Sequence, residues 1–411
     1  MSVIGAVILW LLATSAVLAL AYRRAFAAAW QEPVLRAPVL ILESDDWGYG
    51  PLAQAERLDR IADVLASFRD AAGRHPVATL GVVLAGPDPE RMHEDGGRIY
   101  RRVGLDDPRL ASVRDAMLRG AARSVFRLQL HGLEHFWPPS LMCSAGKDAR
   151  IRKWLTGDSF GVTEDLPSAL QSRWIDASVL PAAALSEPDA TAAATEEARI
   201  FAAVFEAAPE VVVPSTFIWT EAVEQAWVRA GARVIVTPGV RNESRDADGR
   251  VVPGDVTCFN GQRTPEGATY VVRDVYFEPS LGHDHRRALA ALRAKTRLAR
   301  PALLEMHRLN FIRDARTTQN ALDEMRALLQ AALAVLPALR FMSTADLARE
   351  YRDRSALVER RVGPRLHYLI RRLAEVSRLR KLAWATGAAL PAWLAYVLTR
   401  PAAPALSGSR S

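Results

Sequence analysis

The chain reads as an α/β protein: a distorted (β/α)7-8 barrel with an N-terminal transmembrane helix and a basic, partly apolar helical C-terminal tail. Three observations predict this. Short runs rich in Val, Ile and Leu alternate with stretches of helical periodicity, the pattern of a parallel sheet covered on both faces. About eight such runs fall within roughly three hundred residues, which suits a (β/α) barrel. Both ends carry an uncharged apolar stretch beside arginines.

At the N-terminus, Val3 to Tyr22 reads VIGAVILWLLATSAVLALAY, twenty residues without a charge. That matches the ~20 needed to cross the hydrocarbon core as a helix. No Lys or Arg precedes the run, and Arg23 and Arg24 follow it, so residues 1–30 read as an uncleaved membrane anchor rather than a signal peptide. AFAAA downstream offers a cleavage site to the rival reading.

Residues 37–349 hold the barrel. Its strands are expected at VLILE (Val39 to Glu43), VATLGVVLA (Val77 to Ala85), VFRLQL (Val125 to Leu130) and VVVPS (Val211 to Ser215). ARVIVTP from Ala232, TYVVRDVYF from Thr269, ALLEMH from Ala302 and LRFMS from Leu339 supply the rest. AERLDRIADVLASFRDAA, TAAATEEARIFAAVFEAA and TTQNALDEMRALLQAALAVL place apolar residues at i, i+3 and i+4, so they read as covering helices. Two connections, Phe136 to Ala190 and Arg241 to Gly267, are too long for simple crossings. The first contains five prolines and three tryptophans and is expected to be a substrate-facing insertion over about 136–190.

Residues 350–411 form the tail. PRLHYLIRRLAEVSRLRK sets Leu366, Leu369, Ile370, Leu373, Val376 and Leu379 on one helical face among arginines, as in a helix lying on an anionic membrane. Leu382 to Thr399 is uncharged but interrupted by Gly387 and Pro391, which suits a re-entrant or interfacial hairpin better than a span.

The formal net charge of +7 is carried mainly by arginine, which with Ala dominates the composition and suggests a GC-rich bacterial genome. The arginines gather between Arg352 and Lys381 and form no nucleic-acid module, so the basic charge predicts a membrane partner and no nucleic acid. Positive charge flanking both apolar segments on the domain side places the barrel at a bacterial inner membrane, with a lean to the cytoplasmic face. Cys143 and Cys258 are too few for a disulfide framework or a thiolate zinc site.

Chemistry gathers at three strand ends. The first strand ends in SDDWG, with Asp45 and Asp46 adjacent; two like charges side by side oppose each other's ionisation unless a cation is present. The third ends in LHGLEH, where His131 and His135 stand four apart. With Asp45 or Asp46 they make two imidazoles and a carboxylate, a set that binds a divalent transition metal and leaves positions open. The seventh ends on His307, followed by Arg308 and Asn310. Barrel enzymes keep their chemistry at the carboxyl ends of strands.

HGLEH also matches H-x-x-E-H, the inverted zincin pattern of some metalloproteases, with Glu134 as base. That reading requires a helix, which Gly132 and the Pro138–Pro139 pair oppose. A non-haem iron oxygenase uses the same donor set on a different architecture.

In this order and context, the residues resemble the polysaccharide deacetylases, also called NodB-homology or carbohydrate esterase family 4 domains. SDDWG is similar to their first motif, HGLEH to their H-[ST]-x-x-H metal motif, and LLEMH to the late strand that ends in a catalytic histidine; LRFMSTADLA is similar to their last strand and helix. The resemblance covers about Ala37 to Arg349. It implies that Asp45 is the general base, that Asp46, His131 and His135 hold a divalent metal, zinc, and that His307 is the general acid. The implied reaction removes an N- or O-acetyl group from a carbohydrate or lipid-linked sugar, in envelope or exopolysaccharide metabolism. Trp47, Trp219, Arg308 and Asn310 are expected to bind substrate, Asp274 to orient His307, and Glu134 to stand behind the metal ligands. Two departures are plain. Gly132 replaces the hydroxyl residue of the second motif, and the arginine-containing third motif is not found, PSTFIWT from Pro214 standing in its place. The missing motif leaves a catalytically inactive, carbohydrate-binding relative as an alternative.

Overall fold

The computed structural model describes residues 2–401, so the final part of the predicted tail, 402–411, lies outside the described residues. Two helices open the chain, α1 (Val3–Ala21) and α2 (Arg23–Gln31). By length and composition α1 can cross a membrane; a signal sequence has the same features.

The centre is one parallel sheet of nine strands: β1 (Val39–Gly48), β2 (Ala78–Val83), β3 (Phe126–Leu130), β4 (Val211–Val212), β5 (Val234–Thr237), β6 (Thr269–Val272), β7 (Val275–Tyr276), β8 (Ala302–His307) and β9 (Arg340–Phe341). The order is β6-β5-β4-β3-β2-β1-β8-β7, with β9 beside the start of β1. All eight expected strands are present. The sixth breaks into β6 and β7, which lie at opposite edges of the sheet although only Arg273 and Asp274 separate them. Such a link spans at most about 11 Å, so the sheet must curl until its edges approach.

Helices α3 (Gln54–Ala66), α4 (Ala111–Ala122), α5 (Glu187–Phe205), α6 (Glu221–Arg229), α7 (His285–Arg297), α8 (Ala315–Val335) and α9 (Thr344–Asp353) cover the sheet. Burial on both sides explains why the strands are apolar runs rather than alternating ones: every residue of β1 is buried. The chain enters α9 through a reciprocal cap, in which Ser343 accepts from the Asp346 N–H and Asp346 from that of Ser343.

The long insertion after β3 packs Phe136, Leu141, Leu155 and Leu166 into a small core shared with Met92 from the β2–β3 connection, and it reaches the carboxyl end of the sheet. The second long connection forms two short antiparallel ribbons, Val240–Arg241 with Val256–Thr257 and Ser244–Arg245 with Val251–Val252.

Three helices close the described chain: α10 (Val362–Leu373), α11 (Ser377–Thr386) and α12 (Ala389–Leu398). Gly387, at φ +80°, turns α11 into α12, and the ring of Tyr396 stacks on His367 of α10 at 4.2 Å, so the pair returns as a hairpin. Trp10 of α1 donates to the Thr386 carbonyl at 3.0 Å, and Leu18 packs with Leu373, Leu379 and Ala388. Arg372, almost fully buried, donates to the carbonyls of Glu32 and Pro33 before β1 and of Leu298 and Ala299 before β8. This helical module therefore sits against the amino ends of the strands.

Candidate active site

Neighbouring residues on a regular strand point to opposite faces, so Asp45 and Asp46 cannot both face one mouth without a distortion. The distortion is present. The register of β1 against β2 slips between Ser44 and Trp47, and Asp46 adopts φ +73°, a left-handed conformation that L residues avoid. Both carboxylates then line one cavity of about 300 Å³ at the carboxyl ends of the strands, with His131, His135, Arg273, Glu305 and His307 among its walls.

The segment from His131 to His135 is a turn, not a helix. Gly132, at φ +118°, has no room for a side chain: an added Cβ would lie 2.6 Å from the Glu134 carbonyl oxygen. That explains the glycine where a hydroxyl residue was expected. Leu133 N–H donates to buried Glu197 at 3.0 Å, fixing the loop tip.

Asp46, His131 and His135 bring their donor atoms within 4.8 Å of one another. Asp46 Oδ1 is 3.3 Å from His131 Nε2 and 3.1 Å from His135 Nε2, and the two Nε2 atoms are 3.2 Å apart. His131 Nδ1 is 2.9 Å from the Val213 carbonyl, which can only accept, so Nδ1 carries hydrogen and Nε2 is the ring atom turned toward Asp46 and His135. A divalent cation fits this set. Arg273 pairs with buried Glu43, Asp45 and Glu305 and not with Asp46, so the Asp46 carboxylate is left to the two imidazoles and to a bound cation.

Asp45 Oδ2 accepts from Arg273 Nη2 at 2.6 Å, while buried Oδ1 has no hydrogen-bond partner. Burial raises the Asp45 pKa, but the Arg273 charge prevails and leaves it below the ordinary carboxylate value. Burial likewise opposes ionisation of Asp46, which the His135 charge and hydrogen bonds from both imidazoles hold well below its usual range. Glu43 and Glu305 go the other way, burial raising both against Arg273.

His307 pairs in register with Asp45 across β8 and β1. Its Nδ1 is 2.6 Å from Glu278 Oε1, and its side chain is 36% exposed at the cavity. Burial lowers its pKa, yet the bond to Glu278 and the site's carboxylates push it up to about 10.

Several expected roles are corrected. Trp47 and Trp219 are fully buried, with Nε1 bound to Ser44 Oγ and Glu224 Oε2, so neither offers a face to a sugar. Phe217 is the aromatic residue lining the cavity. Arg308 is also buried and donates to both oxygens of Glu164, at 2.9 and 2.7 Å, and to the Tyr49 carbonyl; it ties the insertion to the end of β1 instead of holding substrate. Asn310 donates to Glu278 Oε2 at 2.5 Å and braces the residue that orients His307. Asp274 pairs with Lys295 at the surface, and Glu278 takes the role expected of it. Glu134 is buried between Arg102 and Arg173, both at 2.5 Å, so it braces the loop and is not free to act as a protease base.

Glu278, Arg273 and Glu305 went unseen as site residues in the sequence. Arg273 stands beside Asp45 although no arginine motif precedes it in the expected place. The available signal was a charged residue inside the apolar run TYVVRDVYF, buried where a strand edge ends.

No protein-family model and no curated protein matches the chain. Among solved structures it is similar to a 4-alpha-glucanotransferase from Thermococcus litoralis (8% identity, TM-score 0.39), covering 86% of this chain and 48% of that one, so it spans about half that protein's length. It is similar also to the peptidoglycan deacetylase PdaC from Bacillus subtilis (11%, TM-score 0.36, covering 78% and 93%). A third is a family 4 carbohydrate esterase from Streptomyces lividans in complex with acetate (11%, TM-score 0.33, covering 74% and 92%).

Proposed function

We propose that the protein is a metal-dependent carbohydrate deacetylase that remains attached to a membrane by α1 and the α10–α12 module. The observation that carries the reading is the convergence of Asp46, His131 and His135 on one point, with Asp45 and His307 lining the same cavity. Asp46, His131 and His135 would hold a divalent cation, zinc in this reading, which would supply Lewis acidity toward an acyl carbonyl and a bound water.

The chain's own residues supply the proton traffic. Asp45, ionised at neutral pH, presents its unpartnered Oδ1 to take a proton from the attacking water, while Arg273 fixes the other oxygen. His307 has Nδ1 engaged by Glu278 and stays protonated at neutral pH, so Nε2–H is available to the departing amine or alcohol. A base whose pKa is depressed and an acid whose pKa is raised, facing each other over one cavity, form a matched pair.

Attachment is supported by the packing of α1 on α11, which a cleaved leader would not need. The mouth opens at the far end of the strands from this module. Val39 to Asp45 alone spans about 20 Å, so the sugar is one that reaches the barrel from outside the bilayer rather than the membrane-proximal unit of a lipid carrier. A reporter fused after Arg349 and after Ser411 fixes the membrane side; activity only outside the cytoplasm would contradict the cytoplasmic placement.

Acetate release from N-acetylated and O-acetylated glycans tests the activity. Chelation is expected to abolish it and zinc to restore it. Turnover indifferent to chelator would contradict the proposal.

A further inference from the structure

An apolar cavity lies far from the active site, between α1 and the α10–α12 module. It holds about 620 Å³, within the roughly 300–1,000 Å³ range of ligand pockets. Its walls are almost entirely carbon, from residues such as Leu18, Leu369, Ala383, Trp384 and Tyr396, and two arginines, Arg371 and Arg380, border it. Arg371 stands in the last turn of α10 and Arg380 in the first turns of α11, at the end of the hairpin nearest the barrel.

Helices of ten residues such as α11 and α12 are about 15 Å long, half the ~30 Å hydrocarbon core, so the hairpin reaches through one leaflet. Trp384 and Trp393 are 75% and 60% exposed along it. The apolar groove thus runs alongside a helix long enough to cross the bilayer, with guanidinium charge only at its surface end.

We infer that this groove binds an anionic phospholipid, its acyl chain lying among α1, α11 and α12 and its phosphate taken by Arg371 and Arg380. Charge complementarity selects an anionic headgroup over a zwitterionic one. A lipid-linked sugar has the same chemistry, but its sugar would emerge against the amino ends of the strands, the opposite end from Asp45 and His307. The inference rests on the membrane attachment proposed above and not on the deacetylase reaction.

The test is native mass spectrometry of the full chain released from nanodiscs of equal phosphatidylglycerol and phosphatidylcholine, with a polyprenyl phosphate arm. The chain is expected to retain phosphatidylglycerol in about tenfold excess. The double variant Arg371→Gln/Arg380→Gln should lose that preference, and Ala383→Trp, which fills the groove, should lose both lipids. Equal retention of the two phospholipids, preference surviving in the double variant, or selective retention of the polyprenyl phosphate would overturn it. Carbonate extraction separates the two readings. A chain that resists extraction yet shows no lipid preference defeats the groove alone, whereas a chain that extraction releases defeats the attachment beneath it.

Discussion

His307 Nδ1 lies 2.6 Å from Glu278 Oε1, and this contact sets the protonation state of the site's only solvent-facing imidazole among the described residues. The raised pKa, about 10, means that the ring holds its proton at neutral pH and loses it as pH rises through that value. Activity that depends on His307 as an acid is therefore present below about pH 10 and falls above it. In Glu278→Gln the alkaline limb of kcat/KM should move down toward an ordinary imidazole, about 6.5. A pH–rate profile unchanged by the substitution would remove His307 from the acid role.

Arg273 is a fork among Glu43, Asp45 and Glu305. Arg273→Gln leaves buried carboxylates without a counter-charge and should destabilise the fold by about 3–5 kcal/mol, seen as a lowered denaturant midpoint. Arg273→Lys keeps a charge but loses the planar fork. It should fold while kcat/KM drops by about 10²-fold.

Gly81 on β2 lies beneath Asp45: an added Cβ would stand 2.4 Å from Asp45 Oδ1. Gly81→Ala should therefore displace the base without touching Asp46, His131 or His135. Metal content by mass spectrometry should be unchanged while kcat falls by about 10²-fold.

Glu164 in the insertion is held by Arg308 at 2.7 Å. Glu164→Gln weakens a buried charge-assisted pair and should loosen the insertion, raising KM and speeding limited proteolysis within 156–186. Cleavage at the parental rate would show that the insertion is held elsewhere.

The barrel was legible because its strands are buried on both faces and so spell apolar runs; even the two-residue β4 and β9 lie within stretches long enough to see. Asp46, His131 and His135 were legible because strand-end residues converge in a parallel barrel. The burial of Trp47, Trp219, Arg308 and Asn310 is not legible, because nearness to a motif does not fix exposure: it depends on side-chain partners that no motif names, such as Glu164, 144 residues from Arg308, and Glu224 for Trp219. Glu278 was hidden for a different reason. Strand alternation from Thr269 loses its phase at the break between β6 and β7, so parity favoured no residue after Asp274.

The most direct test pairs turnover with metal content in Asp45→Asn. The account predicts about one divalent cation per chain, held as in the parent, with acetate release from the glycan lost by about 10²–10⁴-fold. Undiminished acetate release, or loss of the cation together with activity, would contradict a base separate from the three residues that hold the metal.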